Sequence, residues 1–244
     1  MTLVSLVACG ATSSPALDAQ PGGENPIGDM LLVDTTTVDS LACGTLAVTF
    51  RDFQAAHPDF EGALGNDRGL VQATLGVGRK PVYAPAGATG TVSGQASFDQ
   101  WYRDVPGTNL TFQQVLPLTE NPTGTFTYDN QALFPLDNVG FGNEGNVHNF
   151  HFTSELHTSF VYRGGEVFQF TGDDDLFVFV NDKLAIDLGG VHGAQSLEID
   201  FDARAAELGI QIGMTYTLDL FHAERHTTES TFRIVTTIDC FIIQ

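Results

Sequence analysis

The chemistry-bearing residues of this 244-residue chain are densest from Phe170 to His192, where Gly172-Asp173-Asp174-Asp175 opens into Leu176-Phe177-Val178-Phe179-Val180. Asn181-Asp182 follows, and then Lys183-Leu184-Ala185-Ile186-Asp187-Leu188-Gly189-Gly190-Val191-His192. Asn and Asp tolerate positive φ, so Asn181-Asp182 predicts a two-residue hairpin turn. Counting back from that turn sets Val180 against Lys183, Phe179 against Leu184, Phe177 against Ile186 and Leu176 against Asp187. Asp187 then falls beside Asp175, and Asp173, Asp174, Asp175 and Asp187 converge at the end of the hairpin away from its turn. At an effective dielectric of ~20, two carboxylates about 4 Å apart repel by roughly 4 kcal/mol, so such a cluster needs a neutralising group. Oxygen donors in this number suit a hard cation, and Ca2+ takes flexible oxygen sets more readily than Mg2+. The EF-hand pattern is absent, because apolar residues follow Asp175. The competing reading is a solvated start of a strand with no metal, and spacing alone leaves the two open.

Other constellations are weaker. His222-Ala223-Glu224-Arg225-His226 has an i, i+4 histidine pair, but its Glu is in the wrong position for a zincin and the residues leave a period-two strand rather than a helix. His148, His151 and His157 read as packing or hydrogen-bonding residues, since 148 and 151 point to opposite faces of a strand. Adjacent Asp173 and Asp174 fit poorly the two-sided carboxylates of glycoside hydrolysis, and no Gly-x-Ser-x-Gly occurs. No catalytic residue is therefore assigned. His192 and Arg225 have two readings: sugar or loop-ordering contacts beside Gly189-Gly190, or a buried hydrogen-bonder and an ion pair for Asp187. Trp101 and Tyr102, with Phe98 at i, i+3 and i+4 spacing, read as core before they read as a stacking platform.

The elements that must position these residues are strands. Leu197-Glu198-Ile199-Asp200-Phe201, Thr215 to Phe221 and Thr231 to Val235 alternate with period two, and Phe168-Gln169-Phe170 adds a short strand. Leu176 to Val180 is apolar without alternation, as a strand covered on both faces is. Helical signals are short: one around Phe98 to Tyr102, stopped by Pro106-Gly107, and one from Asp202 as N-cap to Gly209 as the residue past its end. Short strands with Gly- and Asn-rich turns predict an all-β antiparallel sandwich or barrel.

Ten Lys and Arg against 30 Asp and Glu give a net charge of −20. That excludes a nucleic-acid binder, which needs clustered cations to displace phosphate counterions. No apolar run reaches the roughly 18 residues that span a bilayer, so no transmembrane span is expected. Leu6-Val7-Ala8-Cys9 resembles a bacterial lipobox, which predicts residues 1–9 as a lipoprotein signal remnant with a lipid anchor on Cys9. Residues 10–40 read as a Ser/Pro/Gly-rich tether, and residues 41–244 as the β domain. With Cys9 set aside, Cys43 and Cys240 form an even pair that could close one disulfide; two buried thiols are the alternative.

Taken together, several segments resemble the fibro-slime family, which carries a PA14-like domain. They are Arg51-Asp52-Phe53 with His57-Pro58-Asp59-Phe60-Glu61, Trp101-Tyr102-Arg103-Asp104-Val105, Phe134-Pro135-Leu136-Asp137 with Gly140-Phe141-Gly142-Asn143, and His148-Asn149-Phe150-His151-Phe152. They continue through Gly172-Asp173-Asp174-Asp175, Asp187 to His192, and Leu220 to His226, covering roughly residues 46–240. The resemblance implies a PA14-like antiparallel β-barrel or sandwich with a few short helices, exported to a cell surface, cell envelope or extracellular matrix. In sugar-binding members of that kind two successive Asp residues joined by a cis peptide hold Ca2+, which coordinates sugar hydroxyls. Asp173 and Asp174 match the pair, while Asp175 stands where Gly is usual. The loop from Glu224 through Arg225 and His226 to Ser230 matches the region that supplies further ligands. The function implied is Ca2+-dependent recognition of carbohydrate or surface glycan in adhesion, without catalysis. The alternative is a structural matrix protein whose Ca2+ only fastens loops.

Overall fold

The computed structural model describes residues 43–243. The lipobox with Cys9 and the tether over residues 10–40 lie outside the described residues. In chain order the strands are β1 (Thr45–Phe53), β2 (Gly65–Asn66), β3 (Asn109–Pro117), β4 (Thr119–Glu120), β5 (Phe126–Asn130), β6 (Phe152–Val161) and β7 (Val167–Gly172). They continue as β8 (Asp175–Val180), β9 (Lys183–Leu188), β10 (Gly190–Val191), β11 (Gln195–Asp200), β12 (Thr215–Glu224), β13 (Phe232–Thr236) and β14 (Ile242–Ile243). Two short helices, α1 (Gln95–Phe98) and α2 (Phe201–Leu208), complete the described elements. The main antiparallel sheet runs β3-β1-β6-β12-β8-β9 with β14 added to β6, and the second runs β11-β7-β13-β5-β4. Neither order returns to its first strand, so the architecture is a sandwich rather than a closed barrel.

Alternation along the strands decides which residues meet. Leu176, Val178 and Val180 of β8 and Leu218 and Leu220 of β12 point between the sheets, where they pack with Phe168, Phe170, Ile199, Phe232 and Ile234 of the second sheet. The opposite face of β8 and β12, Phe177, Phe179, Phe221 and Ala223, is buried too. It packs against Leu70, Val71, Tyr83, Phe98, Trp101 and Tyr102 from the long connection between β1 and β3. This second core explains why β8 is apolar at every position after Asp175, and it makes Trp101 and Tyr102 core residues, with 0% and 1% exposure.

The hairpin turn forms as expected, with Asn181 and Asp182 at φ 51° and 63°. The register beyond it does not. Val180 faces Lys183 and Phe179 faces Leu184, but a bulge between Val178 and Phe179 then sets Val178 against Ile186 and Phe177 against Asp187. One extra residue in β9 moves every later pair by one, so Asp187 is not opposite Leu176. The cap of α2 also differs from expectation: Asp200, not Asp202, accepts the Ala203 N–H at 3.0 Å. Asp202 instead holds the Gly165 N–H and the Tyr162 hydroxyl. Gly209 ends the helix in the left-handed region as predicted. Cys43 and Cys240 are joined in a disulfide across a separation of 197 residues. On chain entropy alone, closing a loop of that size contributes about 5 kcal/mol.

Candidate functional site

The N-terminal end of β8 and the C-terminal end of β12 lie side by side, because Ala223 pairs with Asp175. That pairing brings Asp173 and Asp174, which precede β8, close to Glu224, the last residue of β12. Asp173 receives the Thr231 N–H on Oδ1 at 2.5 Å, while its Oδ2 is buried without a partner among the described residues. Asp174 sits in the left-handed region at φ 47° and receives the His192 N–H at 3.0 Å and the Arg225 N–H at 2.8 Å. Glu224 is 1% exposed, and its Oε2 also has no partner among the described residues.

Electrostatics at this end are unfavourable to charge. Burial pushes the Asp174 carboxyl up to about 7, with further help from neighbouring Asp175. Burial, then the proximity of Asp174 and Asp173, pushes Glu224 well above the usual carboxylate range. Asp173 rises as well, chiefly through burial. These carboxyls resist ionisation until something positive arrives.

The expected convergence of four carboxylates is corrected in two places. Asp175 turns to the outer face of the sheet, where its Oδ2 lies 2.5 Å from Arg225 Nε and its Oδ1 takes the Gly190 N–H at 2.7 Å. Asp187, displaced by the bulge, takes the N–H groups of Gly69 at 2.7 Å and Gly189 at 3.0 Å. Arg225 is therefore the counter-charge of Asp175, not of Asp187. It is fully buried, with Nη1 donating to the Asp59 and Thr91 carbonyls and its guanidinium 4.6 Å from the Trp101 ring centre. Trp101 in turn donates to Asp59 at 3.0 Å. Arg225 thus pins the β1–β3 connection to the acidic hairpin and is a structural residue. The Asp173–Asp174 peptide is trans, unlike the cis bond implied by the resemblance.

An open pocket of about 450 Å3 lies over Asp173 and Asp174, with His192, His226 and Glu229 around it and Leu64 to Asn66 along one side. His192 fixes its ring against the carbonyls of Leu188 and Gly193. His226 bonds the Thr227 carbonyl, and its other ring nitrogen is 3.7 Å from Glu61. Glu61 also takes the Thr227 N–H at 3.0 Å, so it ties down the loop after β12. Ser230 does not line this pocket, but its hydroxyl, which donates to the Leu133 carbonyl at 2.8 Å, also lies in hydrogen-bond contact with Glu224. His222 is core: burial holds it neutral, at about 4, between Phe152, Phe170 and Phe232.

Leu64, Gly65 and Asn66 were not visible as site residues in the sequence, since they arrive from more than a hundred positions away. The one signal was Gly189-Gly190. A Cβ on Gly190 would sit 2.2 Å from the Gly65 carbonyl oxygen, and one on Gly189 would sit 2.4 Å from that of Asp67. The close approach these glycines permit is by the chain's own backbone, as β10 pairs with β2.

Two buried, unpartnered carboxylate oxygens facing no cation fit an oxygen-loving ion. Among the described residues no three His, Cys, Asp or Glu side chains form a ready-made metal cage. Asp173 and Glu224 carry the unpartnered oxygens, Asp174 beside them holds two backbone N–H groups, and Asp175 and Asp187 are committed elsewhere.

The chain is similar to three curated proteins of Dictyostelium discoideum. Protein psiR is 37% identical over 211 residues, 79% of this chain and 21% of that protein. Protein psiD is 37% identical over 211 residues, covering 80% and 41%, and protein psiJ is 40% identical over 222 residues, covering 79% and 30%. This chain spans between about a fifth and two-fifths of the length of these relatives. A solved "PA14 sugar-binding domain from RTX adhesin" overlaps 83% of this chain and 96% of that one at 10% identity and a TM-score of 0.38, too loose to define the fold. A PA14 domain profile matches residues 104–239, more than half of the sequence, and the chain belongs to the PA14 domain family.

Proposed function

We propose that this chain is a non-enzymatic carbohydrate-binding or adhesion module of the narrower fibro-slime type, whose pocket recognises glycan through Ca2+ held by Asp173, Asp174 and Glu224. The observation that carries the reading is the pair of orphaned oxygens, Asp173 Oδ2 and Glu224 Oε2, beside a pocket large enough for a small ligand. Held there, Ca2+ would offer coordination to sugar hydroxyls. Asp174 orders the site, since its carboxylate organises the backbone of both His192 and Arg225. His226 and Glu229 offer hydrogen bonds around the ligand, and His192, with both ring nitrogens held by backbone carbonyls, lines the pocket. Display at the cell surface, with a lipid on Cys9, belongs to the same reading; the Cys43–Cys240 disulfide supports an oxidising compartment.

Thermal unfolding in EDTA and in millimolar Ca2+ tests the metal, followed by titration with a glycan panel. At a hundredfold excess over Kd, Ca2+ should stabilise by about 2.7 kcal/mol. Asp173→Asn keeps the Oδ1 acceptor for Thr231 but loses the second charged oxygen, so it should abolish most of the shift while remaining folded. An equal shift in the variant overturns the site. A Ca2+ shift without any glycan response leaves the structural-matrix alternative, and sugar release from polysaccharides would refute the non-enzymatic assignment.

A further inference from the structure

The pocket over Asp173 and Asp174 has a neighbour. A second open pocket of about 430 Å3 lies on the other side of Thr228 and Glu229, which line both. Its far wall is aromatic. Phe134 and His148 stack with ring centres 3.9 Å apart and planes 4° from parallel, and Phe150 meets Phe134 edge-on at 5.0 Å. His148 is held in place, because Asp137 engages its Nδ1 at 2.6 Å. Among the described residues its Nε2 has no hydrogen-bond partner, and its side chain is 41% exposed. Val147 beside it is 81% exposed, a large apolar side chain left in water at the rim.

Two further features mark the shared wall as a place of ligand contact. Thr228 sits at φ 143°, which a β-branched residue adopts only under strain, and such strain collects at ligand clamps. Glu229 is exposed, and its charge acts on Asp173, so it stands close to the acidic site while facing the aromatic pocket. The second pocket therefore offers a flat, prepositioned aromatic and aliphatic side opposite a polar one of Glu229, Thr228 and Gln131. That combination matches a molecule with an apolar C–H face and a hydroxylated edge, the chemistry of a pyranose ring.

We infer that the Phe134–His148 pocket is a second sugar subsite, so that the chain selects oligosaccharides spanning Thr228 and Glu229 over single sugars. This rests on the reading of the acidic pocket as a sugar site. Both pockets fall within the roughly 300–1,000 Å3 usual for small-molecule sites, and a glycan lying across their common wall would occupy both.

The test measures Kd in Ca2+ for methyl β-galactoside, methyl β-glucoside and methyl α-mannoside, and for di- and trisaccharides ending in the same rings. The wild-type chain should bind the extended form of its preferred ring about tenfold tighter than the methyl glycoside. His148→Ala should erase that ratio and leave methyl glycoside affinity unchanged, while Asp173→Asn should abolish both. Val147→Ser, at a position too exposed to affect folding, should reduce the ratio in the same direction. Equal affinity of the wild type for single and extended sugars, or an unchanged ratio in His148→Ala and Val147→Ser, overturns the subsite and leaves the acidic pocket standing. Binding of no sugar by the wild type overturns both.

Discussion

Two buried acidic clusters lie on the main sheet, and they are solved in opposite ways. On its outer face Glu155 of β6 is surrounded by cations: Arg51 at 2.6 Å, His157 at 2.5 Å and Lys80. Asp219 of β12 is matched by Arg79 at 2.6 Å and by His157. Burial alone would raise Glu155, yet hydrogen bonds from His157 and Lys80 and the nearby charges hold it down at about 2. At the end of the sheet Asp173, Asp174 and Glu224 are buried to a similar degree, and among the described residues the Arg225 charge near Asp174 does not offset their burial, so Asp174 rises to about 7. Burial is common to both clusters, so counter-charge is what separates them. A compensated cluster fastens the β1–β3 connection to the sheet. An uncompensated one leaves buried carboxyls that favour their neutral form, the electrostatic setting on which the proposed Ca2+ site rests.

The sharpest way to break this contrast is Arg225→Ala. Arg225 is the one ion-pair partner of Asp175 among the described side chains, with both fully buried, so the change should leave a buried carboxylate without its chief counter-charge. A loss of about 3–5 kcal/mol in denaturant unfolding is expected. A loss below about 1 kcal/mol would show that the pair does not hold the hairpin.

A smaller effect, but one of opposite sign in the two clusters, is expected from neutralisation. Glu155→Gln should destabilise by about 1–3 kcal/mol, because Arg51 loses one of its two carboxylate partners and half-buried Lys80 loses its own. Glu224→Gln should stabilise the Ca2+-free protein by about 1 kcal/mol while weakening Ca2+ binding. Destabilisation by both changes would erase the distinction.

The smallest effect is in pH. Folded Asp174 keeps its proton up to about 7, whereas the unfolded chain releases it near 3.8, so folding takes up a proton between those values. Stability of the Ca2+-free protein should therefore fall as pH rises from about 4 to 7, and the stabilisation by Ca2+ should grow over the same window. Glu155 works the other way: its contribution is present above 4.5 and is lost as pH falls through about 2. Circular-dichroism melts at several pH values separate the two, and a Ca2+-free midpoint that rises from pH 5 to 7 would contradict the assignment of Asp174.

Much of the molecule could be read from its residues in order. Period-two alternation gave β11, β12 and β13, the unbroken apolar run gave a strand buried on both faces, Asn181-Asp182 gave the turn, and the cysteine count gave the disulfide partners. These follow from local backbone preference and from side-chain parity, which are properties of neighbours along the chain. Asp173, Asp174 and the loop from Glu224 were grouped by the resemblance to sugar-binding PA14 domains, since nothing in their spacing joins positions fifty residues apart. Which acids stay open was not visible. That was decided by a bulge of one residue that moved Asp187 away, and by Arg225, Glu61 and Leu64 to Asn66 arriving from distant parts of the sequence. A charge is defined by what surrounds it in space, and strand order, register and the folding back of the β1–β3 connection are set by the packing of the whole sandwich. The sequence by itself determined strands, turn and acidic composition; only the tertiary structure decided which carboxylates are neutralised by a counter-charge and which are buried without one.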